Sequence, residues 1–150
     1  MPSKQAILFG GLIAGALDIT AAFINSALHG RSLIGVLQSI AGGLLGRTAY
    51  QGGWRTAVLG FVLHFCIATI WAAVYYAASL KLPLLTRHAI VCGLLYGVVV
   101  YLFMYMVVLP LSALQFKFFN QPASAVLTGV LIHLFCVGLP IALAVRWHAK

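Results

Sequence analysis

The chain has 150 residues, of which 63% are hydrophobic and only 7% are charged, and its mean hydropathy is +1.09. Since about a quarter of the residues in a soluble domain are charged, this composition excludes a water-soluble globular domain and indicates an integral membrane protein. The formal net charge is +8, but the nine Lys and Arg residues lie in loops and at the ends of apolar runs. Bases in those places are expected beside anionic lipid headgroups and not along a nucleic acid.

Four apolar runs are long enough to cross a bilayer as helices, because about 20 residues suffice. The predicted spans are 6–28, 56–80, 89–114 and 123–145. The runs do not alternate between apolar and polar residues, as the strands of a transmembrane barrel do. The predicted fold class is therefore all-α: a polytopic membrane protein with four transmembrane helices in one compact bundle, forming a single domain over residues 1–150.

A fifth apolar run, LIGVLQSIAGGLLG (33–46), lies in the connection between the first two spans and is too short to cross. Loose backbone is not tolerated against lipid, so the run predicts a short helix, either interfacial or re-entrant. Arg31 and Arg47 flank this run and are expected to hold its two ends at headgroup level. We expect the helix to cover the end of the bundle nearer to His64 and His133.

Small residues predict where the long helices approach one another. Gly11 and Gly15 form one small-xxx-small pattern, and Gly93 and Gly97 form another. Helices in lipid associate largely through such close van der Waals contact. Asp18 continues the stripe of Gly11 and Gly15 at helical spacing, so its carboxyl is expected to face protein.

Two prolines lie late in the third and fourth spans. Pro110 is expected to end its helix, because proline lacks the backbone N–H that a continuing helix needs. Pro140 lies inside its span and predicts a bend.

Three ionisable residues lie at membrane depth, where such groups are rare and mark a functional site. They are Asp18, which is the only acid in the chain, and the histidines His64 and His133. Antiparallel spans place all three in the same half of the bundle, within about 5 Å in depth at about 1.5 Å per residue. Tyr101 lies at the centre of the third span. The sequence therefore predicts an interior polar site formed by Asp18, His64, His133 and Tyr101.

Three interpretations of this site are open. The carboxyl and the imidazoles can hydrogen-bond across helices and lock the bundle. They can instead form a proton or ion relay, or line a cavity that binds or translocates a small molecule, since imidazole gains and loses protons near neutral pH. In the third interpretation His64 and His133 are metal ligands, either in a bis-histidine haem b subunit or, with Cys136, around zinc.

The sequence does not predict an enzyme. It contains no G-x-S-x-G, H-E-x-x-H or phosphate-binding loop motif, and a single acid excludes chemistry that needs two carboxylates. No catalytic residues and no resident cofactor are predicted outside the haem alternative.

The expected partners are the lipid bilayer and an unidentified small molecule or ion. Because four helices enclose little space for a pathway, we expect a transporting form to be a homo-oligomer.

Several short motifs follow one another along the chain from the second span onward. They are a histidine that opens a span (His64), AVYY (73–76), a turn with Pro83, GLLYG (93–97), VLPLSAL (108–114), and a last span with His133 and Arg146. In these features the chain resembles the YagU-like family of bacterial inner-membrane proteins. The resemblance implies a bacterial inner-membrane location and no particular reaction.

The expected topology has both termini on the same side of the membrane, because the number of spans is even. Five bases would lie on the side of the termini and four on the other. By the positive-inside rule this difference favours a cytoplasmic location for both termini.

Overall fold

The computed structural model describes residues 2–148, with side chains from residue 4 onward. This part of the chain is 89% helical and contains no strand. Its helices are α1 (Pro2–Leu28), α2 (Leu33–Leu45), α3 (Gly53–Lys81), α4 (Leu84–Arg87), α5 (Ala89–Leu111) and α6 (Ala123–His148). Of these, α1, α3, α5 and α6 are long and apolar enough to cross a membrane. The predicted fold class is confirmed, and the chain is a multi-pass membrane protein.

The four long helices form a closed bundle. α1 packs against α3 on one side and against α6 on the other, and α6 also packs against α5. Large aromatic side chains complete the ring between α3 and α5, where the hydroxyl of Tyr96 donates a hydrogen bond to the carbonyl oxygen of Trp71 at 2.7 Å. Many large apolar side chains on the outside of the bundle remain exposed, as expected for a surface that meets lipid.

Both glycine patterns lie at contacts between helices. A Cβ atom at Gly11 would lie 2.6 Å from the backbone of Thr69, and one at Gly15 would lie 2.8 Å from the ring of Phe65, so α1 and α3 touch through backbone. On the other side of the bundle, Gly93 and Gly97 face α6, where added Cβ atoms would collide with that helix. The bundle therefore depends on close backbone approach at these positions.

Each of the two later spans contains a wide π-helical turn, Met104–Val108 in α5 and His133–Gly138 in α6. A proline follows each turn, at Pro110 and Pro140. Proline cannot donate to the carbonyl four residues earlier, and in both helices that carbonyl lies inside the wide turn. The structure therefore adds a local change of helical pitch to the bend that was expected at Pro140.

The end of α5 differs from the predicted span 89–114. The helix ends at Leu111, because Ser112 has an extended backbone with ψ 167°. The Ser112 hydroxyl donates to the carbonyl oxygen of Leu109 at 2.7 Å, and Pro110 precedes the break. The VLPLSAL motif thus spans a helix end and the start of a loop.

The short helix α2 packs against the first turns of α3 and reaches across to the connection after α5. Gly60 of α3 has no side chain, and the carbonyl group of Leu37 fills the space where one would lie. At the other end of α2, the backbone N–H of Ala113 donates to the carbonyl oxygen of Gly43 at 3.0 Å. Gly46, with φ 64°, ends α2 in a left-handed conformation that suits glycine.

Candidate interior polar site

The four predicted site residues lie at one depth. Asp18 is about ten residues before the end of α1, and Tyr101 is about ten residues before the end of α5. His64 and His133 lie at similar distances after the starts of α3 and α6. At about 1.5 Å per residue, all four are about 15 Å from the end of the bundle where α2 packs.

His64 connects α3 to α1 through two groups. Its Nε2 atom lies 2.8 Å from the carbonyl oxygen of Gly15 and 3.9 Å from Oδ2 of Asp18. Since a carbonyl can only accept, Nε2 carries the hydrogen and donates it to Gly15. The distance to Asp18 is too long for a hydrogen bond but keeps the two ionisable groups in close electrostatic contact.

The position of the His64 ring is determined by its surroundings. Its side chain is only 12% exposed, and that of Asp18 is 20% exposed. The ring of Phe65 occupies the space beside Gly15, where a side chain would otherwise stand, and packs edge-on against the imidazole at 5.4 Å between centroids. Across residues 4–148, His64 is the only base within salt-bridge distance of the Asp18 carboxylate.

His133 belongs to an aromatic group on the opposite side of the bundle. Its Nδ1 atom donates to the carbonyl oxygen of Gly129 in the same helix at 2.9 Å, which leaves Nε2 as an acceptor. The ring stands edge-on to Tyr101 at 5.2 Å and to Tyr105 at 6.2 Å between centroids. Tyr101 itself is only 2% exposed and packs over Gly129.

α1 brings the two groups together. It packs directly against the wide turn of α6 that begins at His133. The structure thus places Asp18 beside His64, and it groups His133 with Tyr101 and Tyr105 as a second cluster, at the turn of α6 that packs against α1.

Tyr105 was not among the predicted residues, and Cys136 was predicted only as a ligand in the zinc alternative. Tyr105 lies one helical turn after Tyr101, and Cys136 lies three residues after His133, so helical spacing was the signal that could have added both to the polar site. The role of the Gly15 carbonyl could not be predicted from the sequence, because every residue has a backbone carbonyl oxygen. Cys136 is unpaired, as are Cys66 and Cys92.

The haem and zinc alternatives stay predictions. Within the described residues, no group of three or more His, Cys, Asp or Glu side chains is placed to hold a metal ion. A bis-histidine haem needs one ring nitrogen of each histidine for its iron, and the bond from Nε2 of His64 to Gly15 leaves Nδ1 of that ring for this role. Two surface cavities of about 260 and 210 Å³ are lined by other residues, and neither histidine contributes to them.

Comparison with known proteins adds no relative: no family model, curated protein or solved structure matches the chain.

Proposed function

We propose that this protein binds protons at the Asp18–His64 pair and passes them through the bundle. The observation that carries the proposal is the 3.9 Å separation between Nε2 of His64 and Oδ2 of Asp18, inside two helices of membrane length. Ionisable groups in such helices usually serve ion or proton pathways. A carboxylate and an imidazole together can accept, hold and release one proton.

The geometry supports a stepwise path. At 3.9 Å no direct hydrogen bond joins Nε2 of His64 to Asp18. After Nδ1 takes up a proton, Nε2 can release its own hydrogen to the carboxylate through one intervening water or after a small side-chain movement. The free acceptor Nε2 of His133 and the Tyr105 hydroxyl supply the next groups. They belong to the cluster at the turn of α6 that packs against α1, so a proton can pass from Asp18 toward a second pair of groups.

The proposal concerns binding and translocation and does not include covalent catalysis. A small cation or a small polar molecule is an alternative cargo for the same site, since a carboxylate binds cations and an imidazole binds hydrogen-bonding solutes. Four helices enclose little space, so we propose that a translocating form is a homo-oligomer. Its surroundings would be the bacterial inner membrane, as the resemblance to the YagU-like family implies, with both termini in the cytoplasm.

Proton flux into liposomes tests the function. Purified protein is reconstituted with a pH-sensitive dye inside the vesicles, and a potassium gradient with valinomycin supplies the driving voltage. We expect the wild-type protein to equilibrate pH faster than protein-free vesicles do, and both Asp18→Asn and His64→Gln to remove most of that increase.

His148→Gln is the matched control. His148 also bonds a carbonyl of its own helix, at 2.8 Å to Ala144, but it lies at the end of α6 beside Phe9. It should conduct like the wild-type protein. Wild-type flux in Asp18→Asn, or equal loss in the control, would overturn the proposal.

A purely structural role is the second candidate, and the 2.8 Å bond between His64 and Gly15 favours it. In that case the imidazole ties α3 to α1, and the protein acts as a scaffold or assembly partner without a site. The two functions differ in the response to Asp18→Asn, because this change removes the carboxylate and leaves the bond to Gly15 intact.

A further inference from the structure

A second polar region lies at the junction of α1 and α2, away from the interior site. A cavity of about 260 Å³ opens there, and most of the residues that line it are polar. Four hydroxyl side chains and one guanidinium belong to its wall: Ser26, Arg31, Ser32, Ser39 and Tyr50. The Ser39 hydroxyl already donates to the carbonyl oxygen of Val36 at 2.7 Å, which leaves Ser26, Arg31, Ser32 and Tyr50 as donors toward a ligand.

Ser26 is the most informative member of this wall. The residue is only 7% exposed and lines the cavity. Thr20 and Thr69 donate their hydroxyl hydrogens to carbonyls of their own helices, at Ala16 and Phe65, both at 2.7 Å, whereas the Ser26 hydroxyl makes no such bond in the described part of the chain. No fully buried side-chain oxygen or nitrogen of the described residues lacks a partner, so the Ser26 hydroxyl is open to the cavity and can donate to a ligand there.

The start of α2 adds a positive electrostatic potential at the same place. Ser32 caps this 13-residue helix by accepting from the backbone N–H of Gly35 at 3.4 Å, and both residues line the cavity. The N-terminus of a helix attracts anions through its unpaired N–H groups and its dipole. Gly35 has no side chain to cover the helix backbone on this wall.

No acidic side chain of the described residues balances the positive charge of this region. Arg31 is exposed and has no acidic partner among the described residues. The only acid of the chain, Asp18, pairs with His64 two turns deeper in α1. No carboxylate lines the cavity. An anion bound there would meet a guanidinium, several hydroxyls and a helix N-terminus, with no fixed negative charge opposing it.

We infer that this cavity binds a phosphate group. A phosphate presents several acceptor oxygens in different directions, which matches donors that arrive from α1, from the residues just before α2 and from the turn containing Tyr50. The phosphate can belong to an anionic lipid headgroup or to a soluble phosphate compound, and the chemistry of recognition is shared.

Two binding measurements distinguish these sources. The protein is held in a neutral, phosphorus-free detergent. Native mass spectrometry then records the binding of dioleoyl phosphatidylglycerol, with dioleoyl glycerol as the phosphate-free reference, and calorimetry records the binding of inorganic phosphate. Retention of the phosphatidylglycerol alone assigns the site to a lipid, and binding of inorganic phosphate assigns it to a soluble ligand.

The variants test whether the cavity itself is responsible. Ser26→Ala removes the hydroxyl without adding bulk, and Arg31→Gln removes an exposed charge, so both are expected to fold. Each should weaken binding about tenfold, as expected for the loss of one charge-assisted hydrogen bond. Arg47→Gln is the matched control, since Arg47 is an exposed arginine of the same connection that does not line the cavity. The inference is overturned if neither phosphate compound binds, or if Arg47→Gln weakens binding as much as Arg31→Gln does.

Discussion

The imidazole of His64 donates its Nε2 hydrogen to the backbone carbonyl of Gly15 at 2.8 Å, and this bond joins α3 to α1 at the depth of the chain's only acid. A backbone acceptor does not titrate, so the bond fixes the tautomer of the ring independently of Asp18. The carboxylate lies 3.9 Å from the same nitrogen and takes no part in that bond, so it can be replaced while the helix contact stays in place.

Asp18→Asn is therefore expected to leave stability almost unchanged. The hydrogen bond between His64 and Gly15 does not involve the carboxyl, and asparagine keeps its shape. We expect the free energy of unfolding to change by less than about 0.5 kcal/mol. Denaturation in mixed micelles, followed by circular dichroism, measures it. A loss of several times that amount would show that Asp18 holds the bundle together.

His64→Ala should destabilise the bundle. It removes a hydrogen bond between helices, which is typically worth about 1 kcal/mol in a membrane, and it leaves a void beside Phe65. We expect a loss of about 2 kcal/mol in total. The same denaturation experiment on His148→Ala provides the comparison, since His148 bonds only to its own helix in the described structure. Equal losses in the two variants would contradict a specific role for the bond to Gly15.

Gly60→Ala should loosen the docking of α2 on α3. Its added Cβ would collide with the carbonyl group of Leu37, which belongs to rigid helix backbone and cannot turn aside. Overpacking of this kind costs about 1–3 kcal/mol. Gly43→Ala in α2 is the matched control, because nothing lies within 4 Å of the position of its Cβ. Proteolysis of the connection around α2 should accelerate in the first variant only, and equal rates in both would disprove the close contact.

Pro140→Ala should reduce proton flux while preserving the fold. Alanine restores the backbone N–H that proline lacks, so the wide turn His133–Gly138 can tighten to ordinary α-helical pitch and rotate His133 away from Tyr101. Pro122→Ala is the control, since Pro122 lies at the N-cap of α6, where no such N–H is required. Liposome flux that is equal in the two variants would show that the turn does not position the site.

The fold could be predicted from the sequence to a large extent because the bilayer sets the length of its helices. Apolar runs of sufficient length predicted four long helices, and the shorter run at 33–46 predicted the helix now described as Leu33–Leu45. The wide turns were not predicted. A wide turn forms where a carbonyl accepts from the N–H group five residues later and not from the one four residues later. A nearby proline shows only that one regular helical hydrogen bond is missing.

The site was less predictable than the fold. Depth alone suggested one cluster, but it does not give the direction in which a side chain leaves its helix. The structure pairs Asp18 with His64 and sets the ring of His133 edge-on to those of Tyr101 and Tyr105. The cavity at Ser26 could not be foreseen, because an unpaired hydroxyl is visible only once its surroundings are known.

The contact of α1 with α6 has a consequence for biogenesis. Helices enter the membrane in the order of synthesis, so two further spans, α3 and α5, are inserted after α1 before its neighbour α6 arrives. During that interval the face of α1 that will pack against α6 has no partner helix, and the wide turn at His133 does not yet pack against the helix that carries Asp18. The contact between the first and the last long helix is therefore the last one of the bundle to form.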